Sequence, residues 1–185
     1  YIFISYSMFL VGFLDDLKID IKPFTRLIIM VLLLFLFIYI LPIKILNIDV
    51  PFLMPFMSSH ILSSMFVLLC FLFVINGANL IDGFNGLLAI NLIIINIVLA
   101  YINMNNENLE FSIFLISQII MLLSFLLFNF PSAKIFLGDS GAYMFGALTS
   151  LNTIITNNLN PKISSFFFCT LLFYLFFEVF FSFFR

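Results

Sequence analysis

Long apolar runs separated by short polar stretches make up almost the whole of this chain. Several runs approach or exceed the roughly 18 residues that indicate a membrane helix, and this pattern predicts an all-α, polytopic transmembrane helix bundle. The runs predict about seven spans, at residues 2–14, 27–43, 61–75, 87–102, 111–128, 142–155 and 163–184. The second and third spans are separated by a predicted loop with a short interfacial piece, marked by Pro42, Lys44, Asn47, Asp49, Pro51 and Pro55.

The runs also predict how the chain is organised. We find no internal repeat and no soluble domain between them, so residues 1–185 are interpreted as a single transmembrane domain. An apolar run is already under way at Tyr1, and the chain stops directly after another one at Arg185. We therefore expect this domain to be truncated at both ends, as an internal fragment of a longer protein.

Composition strengthens the membrane interpretation and excludes one class of partner. The chain is 64% hydrophobic and only 9% charged, whereas a soluble domain carries roughly 25% charged residues. A formal net charge of −2 and the lack of a basic run exclude nucleic-acid binding. Cys70 and Cys169 lie inside apolar runs, so we interpret them as small buried hydrophobic residues and not as a disulfide or metal site.

The distribution of basic residues predicts the orientation in the membrane. With seven crossings, the polar stretches after spans one, three and five share one side with the end of span seven. That side holds Lys18, Lys22, Arg26, Lys134 and Arg185. The other side holds only Lys44 and Lys162. Because cytoplasmic loops carry the excess of Lys and Arg, the first side is predicted to face the cytoplasm.

One polar segment, residues 76–87, interrupts the apolar background and organises the rest of the chain. Asn76, Asn79 and Asp82 are spaced by three, so on a helical turn they would share one face. The glycines that follow allow a tight or left-handed turn, or a close approach to a ligand. A polar loop between two membrane helices is the alternative interpretation of this segment.

Acidic residues cluster on the predicted cytoplasmic side, as Asp15 with Asp16, then Asp82, then Asp139. Adjacent acids repel each other unless a cation or a base lies near them, and oxygen-rich sites of this type suit Mg²⁺ or Mn²⁺. Acids at a membrane boundary are costly and tend to be functional. We interpret Asp20, by contrast, as an acid that merely solvates the interface.

The segment 138–141 invites comparison with the surroundings of a serine-protease nucleophile. That chemistry needs a histidine base, and His60 is predicted at the opposite membrane face, so we reject it. Here the glycines flank an acid at a helix start, where backbone N–H groups and the helix dipole favour a phosphate. Lys134 is either a topogenic charge or a group that neutralises a phosphate. Phe136 is either a packing residue or a platform on which a base stacks.

Three motifs taken together resemble a known family: Gly12-Phe13-Leu14-Asp15-Asp16, the segment 76–87, and residues 129–141. They are similar, in order and spacing, to the polyprenyl-phosphate N-acetylhexosamine-1-phosphate transferases. The resemblance implies that polyprenyl phosphate attacks the β-phosphate of a UDP-N-acetylhexosamine and releases UMP. It also implies Mg²⁺, or alternatively Mn²⁺, a bacterial inner membrane, and an active site on the cytoplasmic face. It leaves a homodimer open.

Roles follow from the resemblance residue by residue. Asp139 is expected to bind Mg²⁺ together with Asp82, which is also expected to be a catalytic residue of the same cleft. Asp15 and Asp16 resemble the acid pair that activates the lipid phosphate or binds the diphosphate, as a base or as a covalent nucleophile. The residues expected to bind substrate are Asn76, Asn79, Asn85, Asn129, Lys134 and Phe136. The basic residue that usually follows the acid pair matches Lys22 or Arg26.

Two departures from the family pattern carry consequences. Many relatives have a second acid where this chain has Asn85, which removes a charge from that position. The family's histidine-rich loop is absent, although Glu178 and Arg185 resemble residues that precede it. We therefore expect the isolated fragment to be inactive or poorly folded. Within the family, the motifs lean toward the O-antigen or teichoic-acid type over the peptidoglycan type.

Two other classes of function remain as alternatives. A membrane transporter or ion-coupled carrier would use intramembrane acids along a translocation path, with polar groups near the midplane and often inverted repeats. A membrane scaffold without catalytic activity would leave the clustered Asp and Asn residues unexplained.

Overall fold

The computed structural model describes residues 1–17, 22–41, 43–46, 48, 50, 54–57 and 59–184. Every regular element within those ranges is an α-helix, as predicted. The helices are α1 (Ile2–Asp16), α2 (Pro23–Ile40), α3 (Met54–Met57), α4 (His60–Ile81), α5 (Leu87–Asn105), α6 (Leu109–Asn129), α7 (Gly138–Leu159), α8 (Ser165–Leu171) and α9 (Phe173–Phe184). The predictions for Lys18, Asp20, Pro42, Asn47, Asp49, Pro51 and Arg185 lie outside the described residues.

Judged by helix length and composition, the predicted count of about seven spans is too high. Within the described residues, α2, α4, α5 and α6 are long and apolar enough to cross a membrane. Helices α8 and α9 make up a fifth span if the pair, bent by 60°, is counted as one. Helix α1 has only 15 residues, and α7 is long enough but rich in Ser, Thr and Asn. The protein is nevertheless a multi-pass membrane protein.

Helix α7 lies at the centre of the bundle, and glycines let its neighbours approach it closely. A Cβ atom on Gly146 would lie 2.9 Å from the Cα atom of Ile75 in α4. A Cβ atom on Gly12 in α1 would lie 2.4 Å from the backbone of Asp139. Small residues at such contacts are typical of packed membrane helices. Because its neighbours cover it on several sides, α7 carries polar side chains without exposing them to lipid.

A network of buried amides joins α5, α6 and α7. The Nδ2 atom of Asn152 donates to the Oε1 atom of Gln118 at 2.9 Å and to the Oδ1 atom of Asn96 at 3.3 Å. The Tyr1 hydroxyl donates to the Oδ1 atom of Asn152 at 2.9 Å. All three amide residues are at most 1% exposed. Because lipid is as apolar as the helix surfaces, burial of apolar area does little to align membrane helices with one another. Hydrogen bonds of this kind help to align them instead.

Asn152→Ala is expected to destabilise the bundle by about 1–3 kcal/mol, because it removes these hydrogen bonds and leaves buried partners unsatisfied. The measurement is the thermal unfolding midpoint of the purified protein in detergent. Ser117→Ala is the matched control, since Ser117 is exposed and donates only to the Phe114 carbonyl of its own helix. A midpoint for Asn152→Ala equal to that of the control would contradict the role given to the network.

Helix α4 runs further than the pattern predicted, because the third span was expected to end at residue 75. Ala78 and Ile81 are almost fully buried, so the core-facing side of the helix continues past the first polar residues. Asn76 and Asn79 consequently lie on the helix, whereas Asp82 to Gly86 form the turn that follows it, so the segment is part helix and part loop. The chain turns after Ile81, and Gly86 adopts a left-handed φ of 77° just before α5.

The predicted seventh span is two helices that meet at Leu172. Helix α9 packs on α4, where a Cβ atom on Gly77 would lie 2.5 Å from the Leu175 carbonyl oxygen. A cavity of about 190 Å³ beside this bend is lined by both cysteines among mostly apolar residues. Cys70 and Cys169 are free thiols. Cys70 is half-buried and Cys169 is exposed, so neither is fully buried as predicted, because both line this open cavity.

Candidate active site

The three motifs converge at one end of the bundle. The end of α1 supplies Asp15 and Asp16, and the end of α4 with the following turn supplies Asn79 and Asp82. The start of α7 supplies Asp139, which contacts the other two elements. His60 lies at the opposite end of α4 from Asn79, about 28 Å away at 1.5 Å per residue. The predicted position of His60, far from the glycine-flanked acid, is therefore confirmed.

Asp139 is the hub of this cluster and lies in the first turn of α7. Its Oδ1 atom accepts a hydrogen bond from the Asn79 side-chain amide at 2.6 Å. Its Oδ2 atom accepts from the Arg26 Nη1 atom at 3.2 Å. These contacts fix the direction of the carboxylate, and side chains from α2 and α4 thus both meet α7 here.

Arg26 supplies the positive charge of the cluster. Its Nη1 atom pairs with the Asp15 carboxylate as well as with Asp139. The guanidinium carbon lies 5.5 Å from the ring centroid of Tyr143, a cation–π distance. Lys22, the other basic candidate, is exposed at the residue before α2. Of the two basic residues, Arg26 is the one that reaches the acids.

Asp16 has different partners from Asp15. Its Oδ1 atom accepts from the Asp139 backbone N–H, and its Oδ2 atom accepts from the Ser140 N–H, both at 3.0 Å. These are N–H groups of the α7 start, where the sequence predicts that a phosphate is favoured. A phosphate bound there through the same groups would have to replace the Asp16 carboxylate.

Asp82 lies half-buried in the turn after α4, close to the start of α7. Its pKa is raised to about 7, chiefly by burial and then by the negative charge of Asp139, with Asp16 adding less and the backbone of Gly138 lowering it. Asp82 and Asp139 therefore lie near enough to repel each other. The charged form of the Asp82 carboxyl is therefore unfavourable in this corner of the cluster.

Two of the predicted substrate-binding residues form structural hydrogen bonds. The Oδ1 atom of buried Asn129 accepts from the Gly86 backbone N–H. Its Nδ2 atom donates to the Ile135 carbonyl at 2.7 Å, so it ties the loop after α6 to the turn before α5. The Nδ2 atom of Asn76 donates to the Leu72 carbonyl of its own helix at 2.7 Å. Contact of either residue with substrate stays a prediction.

The remaining predicted residues are exposed around the cluster. The Nδ2 atom of Asn85 donates to the Pro131 carbonyl at 2.9 Å at the surface. Lys134 is exposed, and Phe136 is 64% exposed, on the loop between α6 and α7. Both side chains are thus open to solvent on the loop that precedes Asp139 in the chain. The structure thus leaves their predicted roles open to test.

Sequence reasoning missed Tyr143 and gave Gly12 no role of its own. Tyr143 follows Asp139 by four residues and Gly12 precedes Asp16 by four, so each shares a helix face with a predicted acid. That spacing is the signal that would have found them. Tyr143 is fully buried, and its hydroxyl has no hydrogen-bond partner among the described residues.

The model of glycosyl transferase family 4 matches residues 1–157, which include every candidate site residue. A phospho-N-acetylmuramoyl-pentapeptide-transferase of Clostridium beijerinckii is 32% identical over 161 residues, covering 80% of this chain and 48% of that protein. The protein of the same name from Clostridium perfringens is 31% identical over 163 residues, covering 84% of this chain and 51% of its own length.

A shorter match is closer in sequence. The phospho-N-acetylmuramoyl-pentapeptide-transferase of Leuconostoc citreum is 41% identical over 80 residues, which cover 43% of this chain and 25% of that protein. The chain spans about half the length of the clostridial relatives. These relatives give no support to the lean toward the O-antigen or teichoic-acid type. The family match over most of the chain, with the three motifs in one cluster, means that the chain belongs to glycosyl transferase family 4.

Proposed function

We propose that this acid cluster is the active centre of a transferase that moves a sugar 1-phosphate from a UDP-N-acetylhexosamine to polyprenyl phosphate. The observation that carries the proposal is the convergence of the three motifs on Asp139. The names of the relatives describe transfer of a phospho-N-acetylmuramoyl-pentapeptide, which is a sugar phosphate of the same class. Such a reaction begins the membrane stage of cell-envelope polysaccharide synthesis.

The proposed reaction is a displacement at phosphorus. An oxygen atom of the polyprenyl phosphate forms a bond to the β-phosphorus of the UDP-sugar. The bond between that phosphorus and the α–β bridging oxygen breaks, and the electron pair leaves with UMP. The products are polyprenyl-diphospho-sugar and UMP. Catalysis of such a transfer depends mainly on positioning and on neutralising charge.

The described side chains divide these tasks. Arg26 offers a fixed positive charge between Asp15 and Asp139. Asn79 holds Asp139 from α4. Lys134 and Phe136, on the exposed loop, are assigned to a donor phosphate and to the uracil ring. Asp15 is assigned to the lipid phosphate, with the choice between base and nucleophile left open.

We further propose that Mg²⁺, with Mn²⁺ as the alternative, works at this site. Among the described residues, no three His, Cys, Asp or Glu side chains are grouped as a metal cage. Mg²⁺ does not need one, because it binds one or two carboxylates and takes its other ligands from water and phosphates. The mutual repulsion of Asp82 and Asp139 fits a cation that these two residues would hold. When bound, it would neutralise charge on the diphosphate.

The proposed orientation places the cluster at the cytoplasmic face of a bacterial inner membrane. Among the described residues, Lys22, Arg26 and Lys134 lie at the site end, and Lys44 and Lys162 at the other end. That excess agrees with the positive-inside rule. A site at this boundary lets a lipid head group in the bilayer meet a soluble nucleotide.

A carrier remains the alternative because amides lie deep in the bundle, where carriers place their binding groups. Asn96, Gln118 and Asn152 are uncharged, however, and bond to one another. The described carboxylates other than Glu178 lie at helix ends or in the connections between helices. These observations favour the transferase.

The experiment uses the full-length protein in membranes with undecaprenyl phosphate and a panel of UDP-N-acetylhexosamines, including the UDP-linked N-acetylmuramoyl pentapeptide. UMP release is followed with and without Mg²⁺. We expect release with one donor, only when both the lipid phosphate and the cation are present. No release with any donor, from protein shown to be folded, would favour the carrier. A homodimer is tested separately by the mass of the purified protein.

A further inference from the structure

Asp15 and Asp16, the neighbouring acids at the end of α1, make different contacts. Both carboxylate oxygens of Asp16 accept hydrogen bonds from consecutive backbone N–H groups, those of Asp139 and Ser140, at 3.0 Å each. The Asp15 carboxylate pairs instead with the Arg26 side chain. Asp16 therefore contacts the backbone of α7, and Asp15 contacts the charged side chains of the cluster.

Helix α7 begins without a cap from the residue that precedes it. Leu137 makes no side-chain hydrogen bond to the first turn. The first N–H groups of any helix lack partners inside that helix, and side-chain oxygens satisfy them. Asp16 supplies this cap from a different helix. Its hydrogen bonds hold α1 against the first turn of α7, at Asp139 itself.

Two glycines make room for this contact. Gly12 lies one turn before Asp16 on α1, and a Cβ atom there would be 2.4 Å from the Asp139 carbonyl carbon and oxygen. Gly138 has a left-handed φ of 67°, and a Cβ atom on it would be 2.8 Å from the Asp16 Oδ2 atom. Because neither glycine has a Cβ atom, the Asp16 carboxylate can reach the backbone of α7.

We propose that Asp16 is a positioning residue. It holds the first turn of α7 so that the Asp139 carboxylate meets Asn79 and Arg26, and it does not itself act on the substrate. Of the acid pair, Asp15 is then the member available to the lipid phosphate. The role of Asp139 in the reaction rests on the proposed function. The cap that Asp16 forms on α7 does not depend on that function.

The first test compares Asp16→Asn with Asp16→Ala in the full-length protein. Asn keeps one acceptor oxygen and is among the best helix-capping residues, whereas Ala has no acceptor. We expect Asp16→Asn to keep at least about tenfold more kcat than Asp16→Ala, because one acceptor of the cap is kept. Asp16→Ala is expected to lose about 10- to 100-fold in kcat, with a smaller change in KM. Asp15→Asn is expected to lose more than Asp16→Asn.

The second test measures amide hydrogen exchange in the peptide that begins at Gly138. Asp16→Ala is expected to accelerate exchange there, because the Asp139 and Ser140 N–H groups lose their acceptor. Asp15→Ala, the matched control, removes only a side-chain partner and is expected to leave exchange in that peptide near the wild-type rate. This readout works even if the wild-type protein catalyses no transfer, so failure of the proposed function and failure of the cap are distinguished.

Two results would overturn the inference. If the amide hydrogens at the start of α7 exchange in Asp16→Ala at the wild-type rate, Asp16 is not a helix cap in solution. Asp16→Asn could also lose as much activity as Asp16→Ala while its amide exchange at the start of α7 stays slow. That result would mean that the charge of Asp16 acts directly on the substrate or the cation.

Discussion

Asp139→Asn is expected to lower sugar-phosphate transfer by at least about 100-fold while the bundle stays folded. The substitution removes the negative charge on which Asn79 and Arg26 converge. It leaves the backbone N–H of residue 139 in place, so the cap from Asp16 is retained. The loss of activity would therefore come from the missing charge and not from a displaced helix.

The measurement for Asp139→Asn is the rate of UMP release at saturating donor and lipid phosphate, alongside the thermal unfolding midpoint. Glu110→Gln is the matched control, because Glu110 is also an acid in the first turn of a helix but lies at the other end of the bundle. The control is expected to keep wild-type activity. Activity of Asp139→Asn within a few-fold of the control would remove Asp139 from the reaction.

Gly12→Ala is expected to cause the largest loss of stability among Gly→Ala changes in the described helices, because its Cβ atom would meet three backbone atoms of α7. Ala is favoured over Gly within a helix by about 1 kcal/mol, whereas overpacking costs about 1–3 kcal/mol and occasionally more. The added Cβ atom would lie 2.4 Å from backbone atoms of Asp139 and Ser140. Backbone atoms of a neighbouring helix cannot rotate away, so the clash is expected to exceed the gain in helix propensity.

The thermal unfolding midpoint in detergent measures this effect. Gly83→Ala is the matched control, since no atom lies within 4 Å of a Cβ atom built at Gly83. Gly12→Ala is also expected to lose activity, because displacement of α1 moves Asp15 and Asp16 away from α7. A midpoint for Gly12→Ala at or above that of the control would mean that α1 and α7 are not packed as the structure has them.

The convergence of the site was predictable because it depends on chain order. Asp15, Asn79 and Asp139 each lie near a helix end, and alternating crossings bring those ends to one side of the membrane. Polar residues are costly inside an apolar run, so their positions mark helix ends and functional positions even in a single sequence. For the same reason, the approximate positions of most helices followed from the apolar runs.

What could not be predicted depends on packing between helices. Nothing local in the sequence separates Asp15 from Asp16, yet Asp16 caps α7 and Asp15 pairs with Arg26. The pairing of Arg26 with Asp139 joins residues 113 positions apart in the chain. The count of spans was too high because α1 is too short to cross a membrane, and because α7, although central, is rich in polar residues. Its neighbouring helices, and not lipid, surround α7.

The most direct test of the central claim follows the β-phosphate of the donor. A UDP-N-acetylhexosamine that carries radioactive phosphorus only in the β position is supplied to the full-length protein with undecaprenyl phosphate. If the acid cluster transfers a sugar phosphate, the label moves into the lipid fraction and the released UMP is unlabelled. If instead the label stays in water as UDP, the protein transfers the sugar alone, and the account of a displacement at phosphorus beside Asp139 is wrong.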